Sequence, residues 1–447
     1  MLLAPEPIEG LVLGLAPLWV ATALLVATYV TVAVEKINRA IVALLGASLM
    51  IVLGILTQEE ALRGVDFNTI ALLLGMMVIV GITRHSGFFE YVAIRAAQVS
   101  NGSPAAMLFW LALITAVLSA FLDNVTTVLL VAPVTIAIAR DLRVDPYPFL
   151  FAEIFASNIV GTATLVGDPP NIIIGSAAGL SYGAFVAALA PLVALLLVGQ
   201  VILIHFMWGR RLTAAREDRE RVVAMDAGAA IKDVWLLRRS LGVIVAVTVA
   251  FIVAPAVHVE PGTVALAGAA VLLLLETWGL PPAQQSRRVQ GGFAEVQWIT
   301  LFFFVGLFIV VAGVERAGLL EMVGRRFLGL TGGNVAGTAI TVLWLSAIVS
   351  AVVDNIPFVA TMVPIIKDVA PSLGGAAQLT PIWWALALGA CLGGNGSLVG
   401  AAANLSVAGF AEQDGVPFRF WRFTKSAFPL MLLTVAAAHL YLVLRFL

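Results

Sequence analysis

The sequence predicts an all-α polytopic membrane protein made of two inverted repeats, each with about five transmembrane helices, a re-entrant helical hairpin and a broken helix. Three observations carry this prediction. First, 61% of the 447 residues are hydrophobic and only 11% are charged, whereas a soluble domain carries about 25% charged residues. Second, one polar motif occurs twice in apolar surroundings. Third, the charged residues concentrate in one long loop.

The repeated motif places an aspartate and an asparagine inside an apolar run of membrane-span length. Residues 119–133 read SAFLDNVTTVLLVAP, and residues 350–364 read SAVVDNIPFVATMVP, 231 positions later. An ionisable side chain at the centre of a bilayer helix costs roughly 2.5–3.5 kcal/mol, so it is a functional-site hypothesis by default. We therefore interpret the two Asp-Asn pairs as halves of one transport site: Asp123-Asn124 and Asp354-Asn355.

The remaining elements follow from about 20 apolar residues per span. The first repeat, 1–207, is predicted to hold helices near 11–34, 39–57 and 66–83, an amphipathic segment near 87–99, a hairpin near 104–139, a broken helix near 147–178 and a span near 183–207. A charged linker, 208–240, follows. The second repeat, 241–447, is predicted to hold spans near 241–257, 261–280 and 295–314, an amphipathic segment near 318–330, a hairpin near 334–370, a broken helix near 381–410 and a span near 427–446.

The distribution of lysine and arginine predicts the topology. With each Asp-Asn segment as a re-entrant hairpin, each half crosses the membrane five times, and the two halves therefore have opposite orientations. Placing loop 208–240 in the cytoplasm puts most of the 25 Lys and Arg residues on that side, as the positive-inside rule requires. If each Asp-Asn segment were instead an ordinary pair of membrane-spanning helices, each half would still cross the membrane an odd number of times. The predicted opposite orientations would therefore be the same. Both termini are then periplasmic, and the predicted location is the bacterial inner membrane.

Inverted repeats with interrupted helices are typical of secondary transporters, which bind solute and coupling ions near the bilayer midplane. The candidate substrate ligands are hydroxyl and amide side chains at the predicted breaks: Asn124, Thr126, Thr127, Thr162, Thr164, Asn171, Asn355, Asn395, Ser397 and Asn404. The candidates for ion or proton coupling are four acids: Asp123, Asp354, Asp168 and Glu153. Alternatively, these acids satisfy helix ends or pair with arginine, with Asp168 as an Asx-type cap before Pro169-Pro170.

The two copies differ in ways that predict an asymmetric site. Thr126 corresponds to Pro357, and Asp168 corresponds to Ala401. One half therefore offers more charge and more hydroxyl groups than the other. Such a site suits one substrate and one coupling ion.

Several function classes are disfavoured by the composition. The single cysteine, Cys391, excludes a disulfide framework and a thiolate metal site. We expect no catalytic residues, no metal, no nucleic-acid partner, and no cofactor beyond coupling protons or sodium. The sequence contains no nucleotide-binding domain, so a primary pump would need a soluble ATPase partner. A passive channel and an intramembrane aspartyl protease, whose two aspartates would share a proton, are the remote alternatives.

Three segments resemble the ArsB/P-protein permease family of the ion transporter superfamily. They are LGMMVIVGITRHSGFFEY at 74–91, SAFLDNVTTVLLVAPVT at 119–135 and GDPPNIII at 167–174. The similarity extends over nearly the whole chain and is greater to the P-protein branch than to the enterobacterial arsenite pump. It implies a dimer with scaffold and transport domains, elevator-type alternating access, and a site lined by the Asp-Asn tips and the two broken helices.

The resemblance also directs the choice of substrate. Arsenite pumps of this family expel trivalent arsenic, which is neutral at physiological pH and resembles a small polyol. With one cysteine in the chain, such a solute would be held by hydroxyl and amide groups. An anion would need a membrane-embedded Arg or Lys, and none is expected near the motifs. The predicted function is proton-coupled arsenite or antimonite efflux; sodium/proton exchange and transport of dicarboxylate, citrate or chloride are the alternatives.

Overall fold

The computed structural model describes residues 15–34, 36–330, 333–416 and 418–447. Within these ranges the regular secondary structure is helical and contains no strand. Eight of the described helices are long and apolar enough to cross a membrane. The predicted class, an all-α polytopic membrane protein, is confirmed. The predicted start of the first helix, at residue 11, lies outside the described residues.

The helices of the first half are α1 (Pro17–Val34), α2 (Arg39–Val52), α3 (Gln58–Arg63), α4 (Phe67–Arg84), α5 (Phe88–Val99), α6 (Pro104–Ser119), α7 (Asn124–Asp141), α8 (Tyr147–Gly161), α9 (Pro169–Ala178) and α10 (Tyr182–Met207). Two short helices follow, α11 (Arg216–Val223) and α12 (Ala227–Ala230). The second half contains α13 (Val234–Val253), α14 (Pro261–Thr277), α15 (Pro282–Ala294), α16 (Trp298–Arg316), α17 (Leu319–Leu330), α18 (Val335–Ser350), α19 (Asn355–Val369), α20 (Thr380–Gly393), α21 (Ala402–Gln413) and α22 (Phe420–Arg445).

The charged loop is shorter than the predicted 208–240, because α13 begins at Val234 rather than near residue 241. The carboxylate of Asp233 accepts the backbone N–H of Leu236 at 2.9 Å and so caps the new helix. Arg239 lies within this helix and donates to the carbonyl of Leu275 at 3.0 Å. Charged residues in the first turns of a span can reach the interface with their long side chains, so the run of charge was a poor guide to the helix start.

One further helix end differs from the prediction, and one helix was not predicted. Helix α2 ends at Val52, not near residue 57, because Gly54 adopts a left-handed backbone with φ of 77°. Thr57 and Glu60 then form a capping box that starts α3. Helix α15 was not predicted, since its polar composition gives no membrane-span signal.

Four helices form what we call the frame: α2, α4, α14 and α16. Helix α2 packs against α16, and α4 packs against α14, so each pair combines one helix from each half. Each crossing depends on a glycine: a Cβ atom on Gly75 would lie 2.4 Å from the carbonyl carbon of Ala265, and one on Gly306 would lie 2.6 Å from that of Ala43. Small residues of this kind let helix backbones approach closely in a membrane.

The helices α6–α10 and α18–α22 form what we call the inner unit. Helix α6 packs against α8, and α18 packs against α20, in equivalent fashion. Contacts between the halves are crossed, because α7 packs against α21 and α9 packs against α19. These contacts bring the N-terminal ends of α7, α9, α19 and α21 together at the centre of the inner unit. The candidate site lies there.

Candidate functional site

Four helix starts converge at the centre of the inner unit. Helix α7 follows Asp123, α9 follows Asp168, α19 follows Asp354 and α21 follows Ala401. The first two are joined directly, since the N–H of Asn124 donates to the carbonyl of Gly167 at 2.9 Å. Free N–H groups at helix starts carry partial positive charge and can bind acceptor atoms. The two Asp-Asn tips and the two helix breaks therefore share one location.

Asn158 on α8 links the two halves through amide hydrogen bonds. It accepts from Nδ2 of Asn124 at 3.0 Å, and its own Nδ2 donates to Oδ1 of Asn395 at 3.0 Å and of Asn404 at 2.9 Å. Sequence reasoning missed this residue. Its counterpart in the second half is Cys391, so the repeat did not reveal it; the available signal was an amide inside the apolar run of α8.

Asn171 and Asn404 hold the two helix breaks in shape. Nδ2 of Asn171 donates to three carbonyls of the first break at 3.2, 3.1 and 2.9 Å: those of Gly161, Thr162 and Thr164. Nδ2 of Asn404 donates at 2.8 and 2.9 Å to two carbonyls of the second break: those of Gly394 and Ser397. Both amide nitrogens are thus committed to the backbone. The Oδ1 atom of Asn404 accepts from Nδ2 of Asn158 at 2.9 Å, and that of Asn171 accepts from the thiol of Cys391 at 3.5 Å.

Four of the five predicted hydroxyl ligands divide into two groups, and the fifth, Thr126, bonds to Asp123. Thr162 donates to its own helix at the carbonyl of Asn158, Thr164 accepts the N–H of Gly167, and Ser397 donates to the carbonyl of Ala351. These hydroxyls stabilise backbone. The buried hydroxyl of Thr127, by contrast, has no hydrogen-bond partner in the described part of the chain.

The tip aspartates cap their helices, which was the alternative interpretation of these acids. Asp123 accepts from the N–H of Thr126 at 2.8 Å and from its hydroxyl at 2.5 Å. Asp354 accepts from the N–H of Ile356 at 3.1 Å and forms an ion pair with Arg39, with 3.4 Å between Nη1 and Oδ2. Capping fixes the direction of each carboxylate, so it is compatible with a role in binding.

Asp168 behaves differently. It precedes α9 but makes no capping hydrogen bond, so the alternative of an Asx-type cap is wrong. Both of its carboxylate oxygens instead accept from Nδ2 of Asn355 at 3.3 Å, across the boundary between the halves. Asp168 also lies near both tip aspartates, Asp123 and Asp354. Asp168 is therefore the acid at the centre of the site.

The expectation that no arginine lies near the motifs is wrong. Arg39, the first residue of α2, borders a cavity of about 170 Å³ together with Asp354, Tyr29 and Asn38. Its side chain is only 26% exposed. The count of Lys and Arg residues assigned Arg39 to the cytoplasmic side. The sequence around residue 39 does not show that α2 begins beside Asp354.

Glu153 lies apart from the other predicted coupling acids. It is fully buried between α7 and α8, where the hydroxyl of Thr135 donates to Oε1 at 2.5 Å. Its Oε2 atom has no partner among the described residues. Asn158 is five positions further along α8, more than one helical turn closer to the break. The structure therefore does not bring Glu153 into the central site.

Some polar atoms at the centre are buried without a partner among the described residues. These are Oδ1 of Asn124, Oγ1 of Thr127 and Nδ2 of Asn395. Leaving such a group unpaired costs about 1–3 kcal/mol, so they mark where a polar ligand would be stabilised. The centre is largely buried, since Asp123 is 7% exposed and Asp168 is 1% exposed, whereas Asp354 faces the cavity beside Arg39.

These features define the class: a polytopic helical protein with a buried, acid-containing polar centre at interrupted helices is a membrane transporter. More specifically, the chain belongs to the citrate transporter family, CitMHS, whose model matches residues 29–389. The transporter class, rather than an enzyme, is thereby confirmed.

Relatives extend over nearly the whole chain. An uncharacterized transporter of Mycobacterium tuberculosis is 42% identical over 431 residues, covering 96% of this chain and 98% of the relative. The 46 kDa membrane protein of Mycobacterium leprae is 40% identical over 433 residues, covering 96% and 99%. The human P protein is 33% identical over 506 residues, covering 95% of this chain but 59% of the P protein. The resemblance to the ArsB/P-protein family is confirmed.

Two solved structures share the fold. The YdaH transporter of Alcanivorax borkumensis matches with a TM-score of 0.54 at 15% identity, covering 96% of this chain and 97% of that one. MtrF of Neisseria gonorrhoeae, from a class of antimetabolite efflux pumps, matches with a TM-score of 0.52 at 11% identity, covering 96% and 94%. At these identities the likeness concerns the fold alone.

Proposed function

We propose that the chain is a proton-coupled secondary transporter that exports a small, neutral, hydroxyl-rich solute of the arsenite or antimonite class by alternating access. The observation that carries this proposal is the composition of the buried polar centre. Amide side chains from both halves meet there beside Asp123, Asp168 and Asp354. The solute binds to the amides, and the acids supply the coupling charge.

A neutral solute fits the polar groups at the centre. The unpartnered atoms include an acceptor, Oδ1 of Asn124, and a donor, Nδ2 of Asn395. A hydroxyl group both donates and accepts, so a molecule with several hydroxyls can satisfy both. The three aspartates outnumber the one arginine at this site, Arg39. Carboxyl groups in this number can bind a proton or a sodium ion, and they disfavour an anion.

Alternating access is supported by the repeated contacts. The frame crossings at Gly75 and Gly306 are equivalent, and the helix breaks are braced in the same way by Asn171 and Asn404. We propose that the two halves are inverted repeats, that the frame is the scaffold domain and the inner unit the transport domain of an elevator, and that the protein is a homodimer in the bacterial inner membrane. A soluble ATPase partner is not needed for this mechanism.

The proposed orientation predicts which face of the membrane carries the charged loop. A single cysteine at Gly228, in a Cys391→Ser background, is expected to react with an impermeant thiol reagent only from the cytoplasmic side. A cysteine at His258, at the opposite end of α13, serves as the matched control and is expected to react only from the periplasmic side. Labelling of the cysteine at position 228 in intact cells would show that the orientation is the opposite of the one proposed.

The transport reaction is tested with purified protein in liposomes that contain a pH-sensitive dye. Adding arsenite or antimonite is expected to cause a proton flux, and Asp123→Asn is expected to abolish it because the uncharged amide cannot carry the proton. Sodium, chloride, citrate and succinate are added in parallel.

A second candidate, an anion transporter, is favoured by one observation: Arg39 beside the cavity at Asp354. A proton flux or substrate uptake with citrate or succinate, and none with arsenite, would replace the first proposal by this one. A response to sodium alone would indicate sodium/proton exchange. No response to any solute would contradict coupled transport altogether.

A further inference from the structure

A continuous series of hydrogen bonds joins the two tip aspartates through the frame, in the order Asp354, Arg39, Thr300, Gln297, Thr126 and Asp123. The successive donor–acceptor distances are 3.4, 3.1, 3.3, 3.3 and 2.5 Å. Arg39 is the first residue of α2, Thr300 lies in the first turn of α16, and Gln297 directly precedes α16. The three middle residues therefore belong to the frame or its edge, and the outer three belong to the inner unit.

These contacts lie at the end of the frame nearest the charged loop. Helix α4 ends there, since Arg84 forms an ion pair with Glu295, just before α16, at 3.4 Å. The loop joins the same end, because the N–H of Lys232 donates to the carbonyl of Ser86 at 2.9 Å. In this conformation both tips are thus held at the loop-facing end of the frame.

The other end of the frame has no counterpart of Arg39. Gly306 meets Ala43 as Gly75 meets Ala265, which makes Ala265 the counterpart of Ala43. Counting back four positions from each alanine pairs Arg39 with proline, at position 261. A proline side chain cannot form an ion pair, so a tip that moved to that end would not find a cation at the position equivalent to Arg39.

The contact between Gln297 and Thr126 also has no equivalent at the other end of the frame. The counterparts of Gln297 and Thr300, 231 positions earlier, are Asp66 and Thr69, which bond to each other at 2.7 Å. The tip residue that would meet them is Pro357, the counterpart of Thr126, and its side chain has neither donor nor acceptor. In the described part of the chain, Asp66 and Thr69 bond to neither tip.

We propose that Arg39, Thr300 and Gln297 form a one-sided latch: they are positioning residues that hold the inner unit at the loop-facing end of the frame and make this conformation the resting state. The inference rests on the proposed alternating access. A contact made in only one of two conformations shifts the population toward that conformation by its full free energy. Residues that bind neither solute nor proton thereby set which side the empty transporter faces.

The latch is tested by cross-linking at the opposite end of the frame, where Nδ2 of Asn68 on α4 lies 3.3 Å from Oγ of Ser176 on α9. Cysteines replace both residues in a Cys391→Ser background, and disulfide formation by a mild oxidant reports the resting position. Thr300→Val, which removes only one hydroxyl group, is expected to lower the ratio of cross-linked to unlinked protein roughly fivefold, as the loss of two hydrogen bonds made in a single conformation predicts. The double variant Arg39→Gln/Asp354→Asn is expected to lower it at least as much.

Two matched controls separate positioning from folding. Thr300→Ser keeps the hydroxyl and is expected to restore the cross-link to the parent level. Arg84→Gln/Glu295→Gln removes an ion pair from the same end of the frame without touching a tip, and is expected to leave the cross-link unchanged. An unchanged cross-link in both Thr300→Val and the double variant would overturn the latch, as would the absence of a cross-link in the parent.

This measurement needs no solute and no proton gradient. If the latch exists but the proposed transport reaction is wrong, Thr300→Val lowers cross-linking and the parent shows no proton flux in liposomes. If the transport reaction is right but the latch does not exist, the parent shows the proton flux and Thr300→Val leaves cross-linking unchanged. The two proposals therefore fail separately.

Discussion

Replacing Asp168 by asparagine is expected to reduce coupled transport by roughly a hundredfold or more, the range typical of removing a group that transfers protons. Asp168 is the acid at the centre, bonded to Asn355 of the other half and near both tip aspartates. Asparagine keeps the size of the side chain and one acceptor oxygen, so we expect the contact with Asn355 to survive. The variant thus removes the charge and leaves the fold.

The measurement is the solute-dependent proton flux in liposomes. Asp414→Asn is the matched control, because Asp414 is an acid at the surface that pairs with Arg140 at 3.1 Å. The control is expected to transport at the parent rate, since pairs of this exposure contribute little. A parent-like flux in Asp168→Asn would remove this residue from the coupling mechanism.

Replacing Gly400 by alanine is expected to destabilise the folded protein by about 1–3 kcal/mol or more, the cost of overpacking a site that cannot yield. The new methyl carbon would lie 2.7 Å from the carbonyl oxygen of Gly394 and 2.8 Å from that of Ser350. Both are backbone atoms, so neither can rotate away. The first half has the same contact, where a Cβ atom on Gly167 would lie 2.7 Å from the carbonyl oxygen of Ser119.

The midpoint of thermal unfolding in detergent is the readout for this prediction. Gly409→Ala is the control, because Gly409 lies in the interior of α21 with no atom within 4 Å of the new Cβ. Alanine is favoured over glycine inside a helix by roughly 0.5–1 kcal/mol, so the control is expected to unfold at the same or a higher temperature. Equal midpoints for the two variants would show that the break at Gly400 is not tightly packed.

The sequence by itself determined the class of the protein and the places where its helices break. Membrane-spanning helices depend on the local run of apolar residues, which is a property of adjacent positions. The Asp-Asn tips and the Gly161–Asn171 and Gly393–Asn404 breaks were visible for the same reason, since polar residues and glycines interrupt those runs. Composition was less informative at helix ends, where the charged residues before Ser240 concealed the start of α13 at Val234.

Only the tertiary structure decided which residues meet at the site. Asn158 bonds to Asn404, and Arg39 pairs with Asp354, although each pair lies hundreds of positions apart in the chain. The sequence also could not separate Asn171, whose nitrogen braces a break, from Asn124, whose oxygen has no partner among the described residues. The physical reason is that hydrogen bonds and ion pairs act over a few ångströms in space. Which side chains lie that close follows from how the helices of the two halves cross, and no local pattern encodes that crossing.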